Sequence, residues 1–198
     1  MNEGIDLDGY IKEKMQFNML WVNVFALIVL LIAIILFGVP FYFIWPGLIN
    51  FNFVSSENMG LQIINIAFAF IILLIGFVIH EIIHGVFYAI YAKKGFKSIK
   101  LGVKLKYGVA YCICNELIQI KKVIIALIMP TIFIGFIPAI LSLIIGSYFL
   151  LFYGILFIMG GAGDFLVIIR FLKEDKKDYF LDLFGPEKFG YIYRKIKE

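Results

Sequence analysis

The sequence predicts an all-α membrane protein of four transmembrane helices, with a short β-hairpin in the cytoplasmic loop between the second and third. Three observations carry that reading. The chain is 63% hydrophobic and 16% charged, with 22 Phe in 198 residues, whereas a soluble domain is about half apolar and a quarter charged. Its apolar residues fall in runs of 20 or more, long enough as helix to cross a hydrocarbon core of about 30 Å. Its basic residues flank those runs on one side only.

Residues 1–17 are polar and mixed in charge. The first span covers about residues 19–45 and closes at Trp45 and Pro46. It exceeds the roughly 7–15 residues of a signal-peptide core, so it is expected to stay as an anchor. A loop rich in Asn, Ser and Gly (46–60) leads to the second span, about 61–92, which Lys93-Lys94 stops. Residues 93–122 form a basic loop. From Val123 to Ile169 the chain is almost uncharged for 47 residues, right for two spans, about 123–145 and 147–169, turning at Gly146-Ser147. The tail, 170–198, mixes charges with Tyr179, Phe180, Phe184, Phe189, Tyr191 and Tyr193, which suits a segment at the membrane interface. The whole chain reads as one membrane-embedded domain.

Lysine and arginine set the orientation. Of the 18, two precede the first span, eight lie in 93–122 and eight lie from Arg170 onward; the loops at 46–60 and 146–147 hold none. Both termini are therefore expected in the cytoplasm and the protein in the cell membrane. The net charge of +4 suits the bilayer's anionic headgroups as partner. No basic block is interleaved with aromatics as a nucleic-acid surface requires, so no nucleic-acid partner is expected. The two cysteines, Cys112 and Cys114, stand two residues apart in a cytoplasmic loop and read as reduced thiols.

Within the basic loop, Lys100 to Tyr107 alternates polar or small residues with apolar ones, the period of a strand. Gly108 offers a turn, and Val109 to Cys114 a returning strand. The hairpin would lie on the cytoplasmic membrane surface.

The second span holds His80-Glu81-Ile82-Ile83-His84, an H-E-x-x-H pattern on a helix. Residues four apart share a helix face, so two imidazoles can each place a nitrogen about 2.0–2.1 Å from one Zn²⁺. Glu81 can take a proton from water acidified by that zinc and pass it to a leaving amine. His80 and His84 are the only histidines in the chain. The pattern would arise by accident on the order of once in a thousand such sequences, so it is specific for a short motif. Ionisable residues are costly inside a membrane helix and usually functional; the plainer reading is a structural polar cluster.

A catalytic zinc has three protein ligands and an open position. With no third histidine, the third ligand must be a carboxylate or thiolate. Apart from Glu81, the spans contain one acid, Asp164. Asp164 lies six residues before Arg170 and His84 nine before Lys93, which at about 1.5 Å per residue puts both in the cytoplasmic half of the bilayer at depths within ~5 Å. Gly160, Gly161 and Gly163 around Asp164, and Gly76 and Gly85 in the second span, permit close helix approach. Glu116 and the pair Cys112/Cys114 are the competing ligands. The string Gly161-Ala162-Gly163-Asp164 resembles the motif of intramembrane aspartyl proteases, but no second Asp lies in a span to form their shared-proton pair.

These residues carry a resemblance. HEIIH in an apolar helix, a strand-forming loop and an Asp in a later span resemble the intramembrane zinc metalloproteases of the site-2 protease type. More narrowly, they are similar to a group of small membrane proteins classed as zincin peptidases, over about residues 61–170. The resemblance implies His80, His84 and Asp164 as zinc ligands, Glu81 as the base that activates water, and a membrane-associated polypeptide as substrate. The Asp of site-2 proteases usually sits in a motif with Asn, Pro and Asp-Gly; here no Gly follows Asp164. The resemblance also implies that the hairpin can pair with an extended substrate, as an exposed strand edge does; resting on anionic lipid is its other reading. The competing function is a non-enzymatic zinc-binding membrane protein, such as a sensor, chaperone or assembly factor. An ion transporter fits less well, because one polar cluster does not make a path across the bilayer.

Overall fold

The computed structural model describes residues 9–48, 59–104, 109–185 and 188–196. Strand β1 (Tyr10–Met15) leads into α1 (Met19–Ala33), where the Asn18 side chain accepts from the Leu20 N–H at 2.9 Å and caps the first turn. A π turn over Ile34–Gly38 joins α1 to α2 (Val39–Ile44). The long helix α3 (Met59–Tyr91) follows. Next come β2 (Ile99–Lys104), β3 (Val109–Cys114) and the short β4 (Ile118–Gln119). After β4, α4 (Ile120–Thr131) continues through a π turn over Ile132–Phe136 into α5 (Ile137–Ile145). Both π turns stand just before a proline near the start of the next helix, Pro40 and Pro138. Proline lacks an N–H and its ring clashes with the carbonyl four residues back; a widened turn there keeps the helix going. Met19–Ile44 and Ile120–Ile145 thus each run as one helix of 26 residues.

Gly146 takes the left-handed conformation (φ 71°) that ends α5, and the Ser147 hydroxyl accepts from the Leu150 N–H to cap α6 (Tyr148–Gly160). The expected continuous helix over 147–169 is not what forms. The chain breaks at Gly161, and α7 (Ala162–Phe171) leaves α6 at 44°. The reason is steric: a Cβ at Gly161 would collide with Thr131 Oγ1 on α4, so the backbone passes α4 at a distance only glycine allows. Among the described residues, three helices are long and apolar enough to cross a membrane, or four if the bent pair counts as one span. Their outward faces are apolar, with Ile63, Ile64, Phe68 and Phe70 of α3 all exposed, a surface suited to lipid rather than water.

The protein is not purely helical. Strands β5 (Tyr179–Gly185) and β6 (Lys188–Lys195) form an antiparallel pair, and the sheet order is β1-β6-β5-β4. The segments expected as a polar leader and an interfacial tail therefore pair with each other, Tyr10 opposite Lys195 and Met15 opposite Gly190. The mixture of aromatics and charges in the tail is a period-two alternation. Phe180 and Ile192 stand opposite one another and are both buried, while Lys12 rests 3.8 Å from the centroid of the Tyr191 ring. Phe180 packs edge-on against Phe171 of α7 with centroids 5.0 Å apart. Strands β2 and β3 form a separate antiparallel pair, from Ile99 opposite Cys114 to Lys104 opposite Val109. The turn expected at Gly108 lies outside the described residues.

The four-stranded sheet gathers both ends of the chain and the start of α4 on one side of the helices. A core of Met15, Ile118, Ile120, Val123, Phe171, Phe180 and Ile192 fills the junction. Around it, Arg170 and Arg194 each pair with both Glu13 and Glu174. This locks β1, the end of α7 and β6 together.

Candidate metal centre

The buried residues of α3 are His80, His84, Gly85, Tyr88 and Ala89, all at one end of the helix. The spacing of four puts the two imidazoles on the face that meets α4 and α7. Their rings stand 4.8 Å apart, centroid to centroid, and their Nε2 atoms are 3.1 Å apart. Asp164 arrives from the first turn of α7, where the positive end of the helix favours a carboxylate. Its Oδ2 lies 3.2 Å from His80 Nε2 and 3.4 Å from His84 Nε2. The break at Gly161 creates that helix start three residues earlier, so the bend and the site belong to one arrangement.

The three atoms form a nearly equilateral triangle. Ligands at about 2.0–2.1 Å in a tetrahedral site are about 3.3–3.4 Å from each other, and the observed edges of 3.1, 3.2 and 3.4 Å match that figure. His84 Nδ1 lies 2.9 Å from the Ala126 carbonyl, which can only accept, so Nδ1 carries a proton. Nε2 is then the nitrogen that faces His80 and the Asp164 carboxylate. The carbonyl that orients the ring is the outer support a metal-bound histidine normally has. Ala126 is fully buried, and its small side chain lets α4 come that close. His80, His84 and Asp164 thus form the one group among the described residues with metal-binding geometry, and the donor set of two imidazoles and a carboxylate fits zinc.

Glu81 is next to the triangle. It lines the same cavity of about 290 Å³ as His80, His84 and Asp164, and the Cys112 backbone N–H donates to its carboxylate. Strands β2 and β3 reach the site by packing on α3 at Gly85, where Cys112 Sγ and Ile99 lie each 3.4 Å from where a Cβ would stand, an ordinary contact distance. A second cavity of about 370 Å³ shares His80, Glu81, Ala110 and Gly160 with the first and continues along the apolar face of α3, past Leu74, Phe77 and Val78.

The competing ligands lie elsewhere or are unsuited. Glu116 accepts from the backbone N–H groups of Lys93 (2.8 Å) and Lys94 (3.1 Å) and from the Ser98 hydroxyl. It closes the turn after α3. Although burial opposes ionisation, those donors hold its carboxyl below the usual glutamate range. Both cysteines are free thiols. Cys114 is buried in the core, and burial, first of all, raises its pKa to about 11. Cys112 lines the cavity, where burial, and then the carboxylates of Glu81 and Asp182, push its thiol well above the ordinary value, but it is not among the residues whose ligand atoms converge.

Several residues of the cavity wall were not anticipated, Tyr88 and Asp182 among them. Tyr88 is four residues past His84, so the helical repeat that pairs the histidines could have found it; the two rings are 6.4 Å apart. Asp182 comes from β5, and nothing local to it points at the site.

A helix-borne H-E-x-x-H with a carboxylate from another helix is the donor arrangement of zincin-type hydrolases. Residues 73–179, just over half of the chain, match the family model described as "Putative zincin peptidase", and the chain belongs to that family. No curated protein and no solved structure shows a significant match to it.

Proposed function

We propose that this protein is a zinc-dependent membrane metallopeptidase that hydrolyses peptide bonds of membrane-associated polypeptides. The observation that carries the reading is the triangle of His80, His84 and Asp164 with Glu81 in the same cavity. Zinc bound there would supply Lewis acidity, polarising the peptide carbonyl and acidifying water. Glu81 accepts the proton of the attacking water and returns it to the leaving nitrogen. The Cys112 N–H holds the Glu81 carboxylate in place between those two transfers. The His84–Ala126 bond keeps the imidazole in the tautomer that leaves Nε2 available.

The proposed topology is four spans, with α6 and α7 as one bent span, in the cell membrane. Both termini are placed in the cytoplasm. The pairing of β1 with β6, which brings the chain ends to one side, and the one-sided lysines and arginines support this. Substrate would enter by the apolar cavity beside α3 and water from the sheet side.

Glu81→Gln is the decisive variant. It is expected to keep zinc and lower peptide cleavage by about 10²–10⁴-fold, measured with purified protein in lipid discs. Zinc retained with unchanged cleavage would remove Glu81 as base. No cleavage in the wild type, with zinc bound, would favour the non-enzymatic zinc-binding protein.

A further inference from the structure

The glycines of the bent span formed by α6 and α7 differ in what surrounds them. A Cβ at Gly154 would collide with the Ala139 backbone and one at Gly161 with Thr131, so close packing accounts for both. Gly160 has no such reason. A Cβ there would meet Phe77 Cε1 of α3 at 3.7 Å, an ordinary contact. Its φ is not positive, and alanine is the better helix former. The fold would therefore accept a side chain at position 160.

A side chain there would fill the opening between the two cavities. The cavity of the metal centre and the one along α3 have four lining residues in common: His80 and Glu81 on α3, Ala110 on β3 and Gly160 at the end of α6. His80 and Glu81 belong to the proposed chemistry. Ala110 and Gly160 come from two other elements, and both are small. Beyond this junction, Leu74, Phe77, Val78 and Val103 wall the cavity of about 370 Å³. All four are exposed apolar residues, so this cavity opens towards lipid and is large enough for the side chain of a leucine or phenylalanine. A polypeptide whose scissile bond lies at the metal centre can place a neighbouring side chain there only through the junction, and backbone approaches most closely where a glycine stands.

We infer that Gly160 is a specificity-determining residue whose missing side chain admits a bulky apolar residue, next to the scissile bond, into the cavity along α3. Ala110 is the other small wall of that opening. The inference rests on the metallopeptidase reading and adds a substrate class to it: polypeptides with a large apolar residue beside the cleaved bond, preferred over those with a small one.

The test uses full-length zinc-loaded protein in lipid discs and three zinc-chelating probes, the hydroxamates of acetylated glycine, leucine and phenylalanine. Affinities are measured by calorimetry, counting only the binding that is lost when zinc is chelated, which removes partitioning into the lipid. Wild type is expected to bind the leucine or phenylalanine probe at least about tenfold more tightly than the glycine probe, as for a side chain entering an apolar pocket. Gly160→Val should reduce that ratio by about tenfold, and Gly160→Ala by less, because each added methyl group narrows the opening. Ala110→Val narrows it from β3 and should lower the same ratio, which keeps the inference testable if the α6 variants do not fold. Equal binding of all three probes by wild type would overturn the inference and leave the zinc site standing. So would an unchanged ratio in the folded variants, or losses that are the same for every probe. A wild type that retains no zinc and binds no hydroxamate would overturn the metallopeptidase reading and this inference with it.

Discussion

Around the histidines the protein packs through small residues, and at the chain ends it packs through large ones. Ala126 and Gly161 let α3, α4 and α7 approach one another; Met15, Phe171, Phe180 and Ile192 fill the junction with the sheet. The difference follows from the solvent. Lipid tails are as apolar as leucine, so helices inside a bilayer gain little from burying bulk and associate through close contact and polar bonds. Where water is present, removing apolar area from it is worth about 25 cal/mol per Å², and large side chains dominate. The candidate metal centre sits where the two regions meet, with His80, His84 and Asp164 from the helices and cavity wall from both.

Removing a ligand should have the largest effect and separates the regions most sharply. Asp164→Ala is expected to abolish stoichiometric zinc, read by elemental analysis, while the protein still purifies as a folded species, because the sheet core contains none of the ligands. Loss of folding together with zinc would mean that the two regions are one cooperative unit.

Crowding the helix break comes next. Gly161→Ala puts a methyl against Thr131 Oγ1, a buried hydroxyl without a hydrogen-bond partner among the described residues. Overpacking of this kind costs about 1–3 kcal/mol. Adding Thr131→Ala should restore most of it, since the hydroxyl it removes has no bond to lose. Thermal unfolding of the single and double variants would show it, and no recovery in the double variant would break the steric account of the bend.

On the sheet side, Glu174 accepts from Arg170 and, through two bonds of 2.5 and 2.8 Å, from Arg194. Glu174→Gln should cost about 1 kcal/mol, because the arginines keep Glu13 and remain partly solvated. Zinc content should not change.

The smallest effect is a pH dependence. The Ser98, Lys93 and Lys94 donors hold the Glu116 carboxyl below its ordinary value against the opposing effect of burial. Its contribution is therefore complete above the unfolded-state value and is lost as pH falls through the folded-state one. Glu116→Gln should flatten the acid limb of a plot of melting temperature against pH. An unchanged limb would assign it to other carboxylates.

How far the sequence could be read differs between the same two regions. His80 and His84 share a face because they are four residues apart, and Asp164 was matched to them by depth, since distance along a membrane helix is distance across the bilayer. Those are one-dimensional facts. The β2–β3 alternation is local too. Pairing Tyr10 with Lys195 joins opposite ends of the chain, and no local repeat encodes a partner that remote. Tyr179, Phe180, Tyr191 and Tyr193 therefore read as a headgroup segment, because aromatic and charged residues mix in the same way at an interface and on the two faces of a strand.

The sequence by itself determined the apolar helices, the paired histidines with their glutamate, and the depth at which a carboxylate could join them. Each of these follows from hydropathy and the helical repeat, which act over a few residues. Only the tertiary structure decided that α7 turns away at Gly161, that the chain ends close into a sheet, and that Asp182 faces the metal cavity. Those depend on which distant surfaces touch, and contact between remote residues is set by packing in three dimensions.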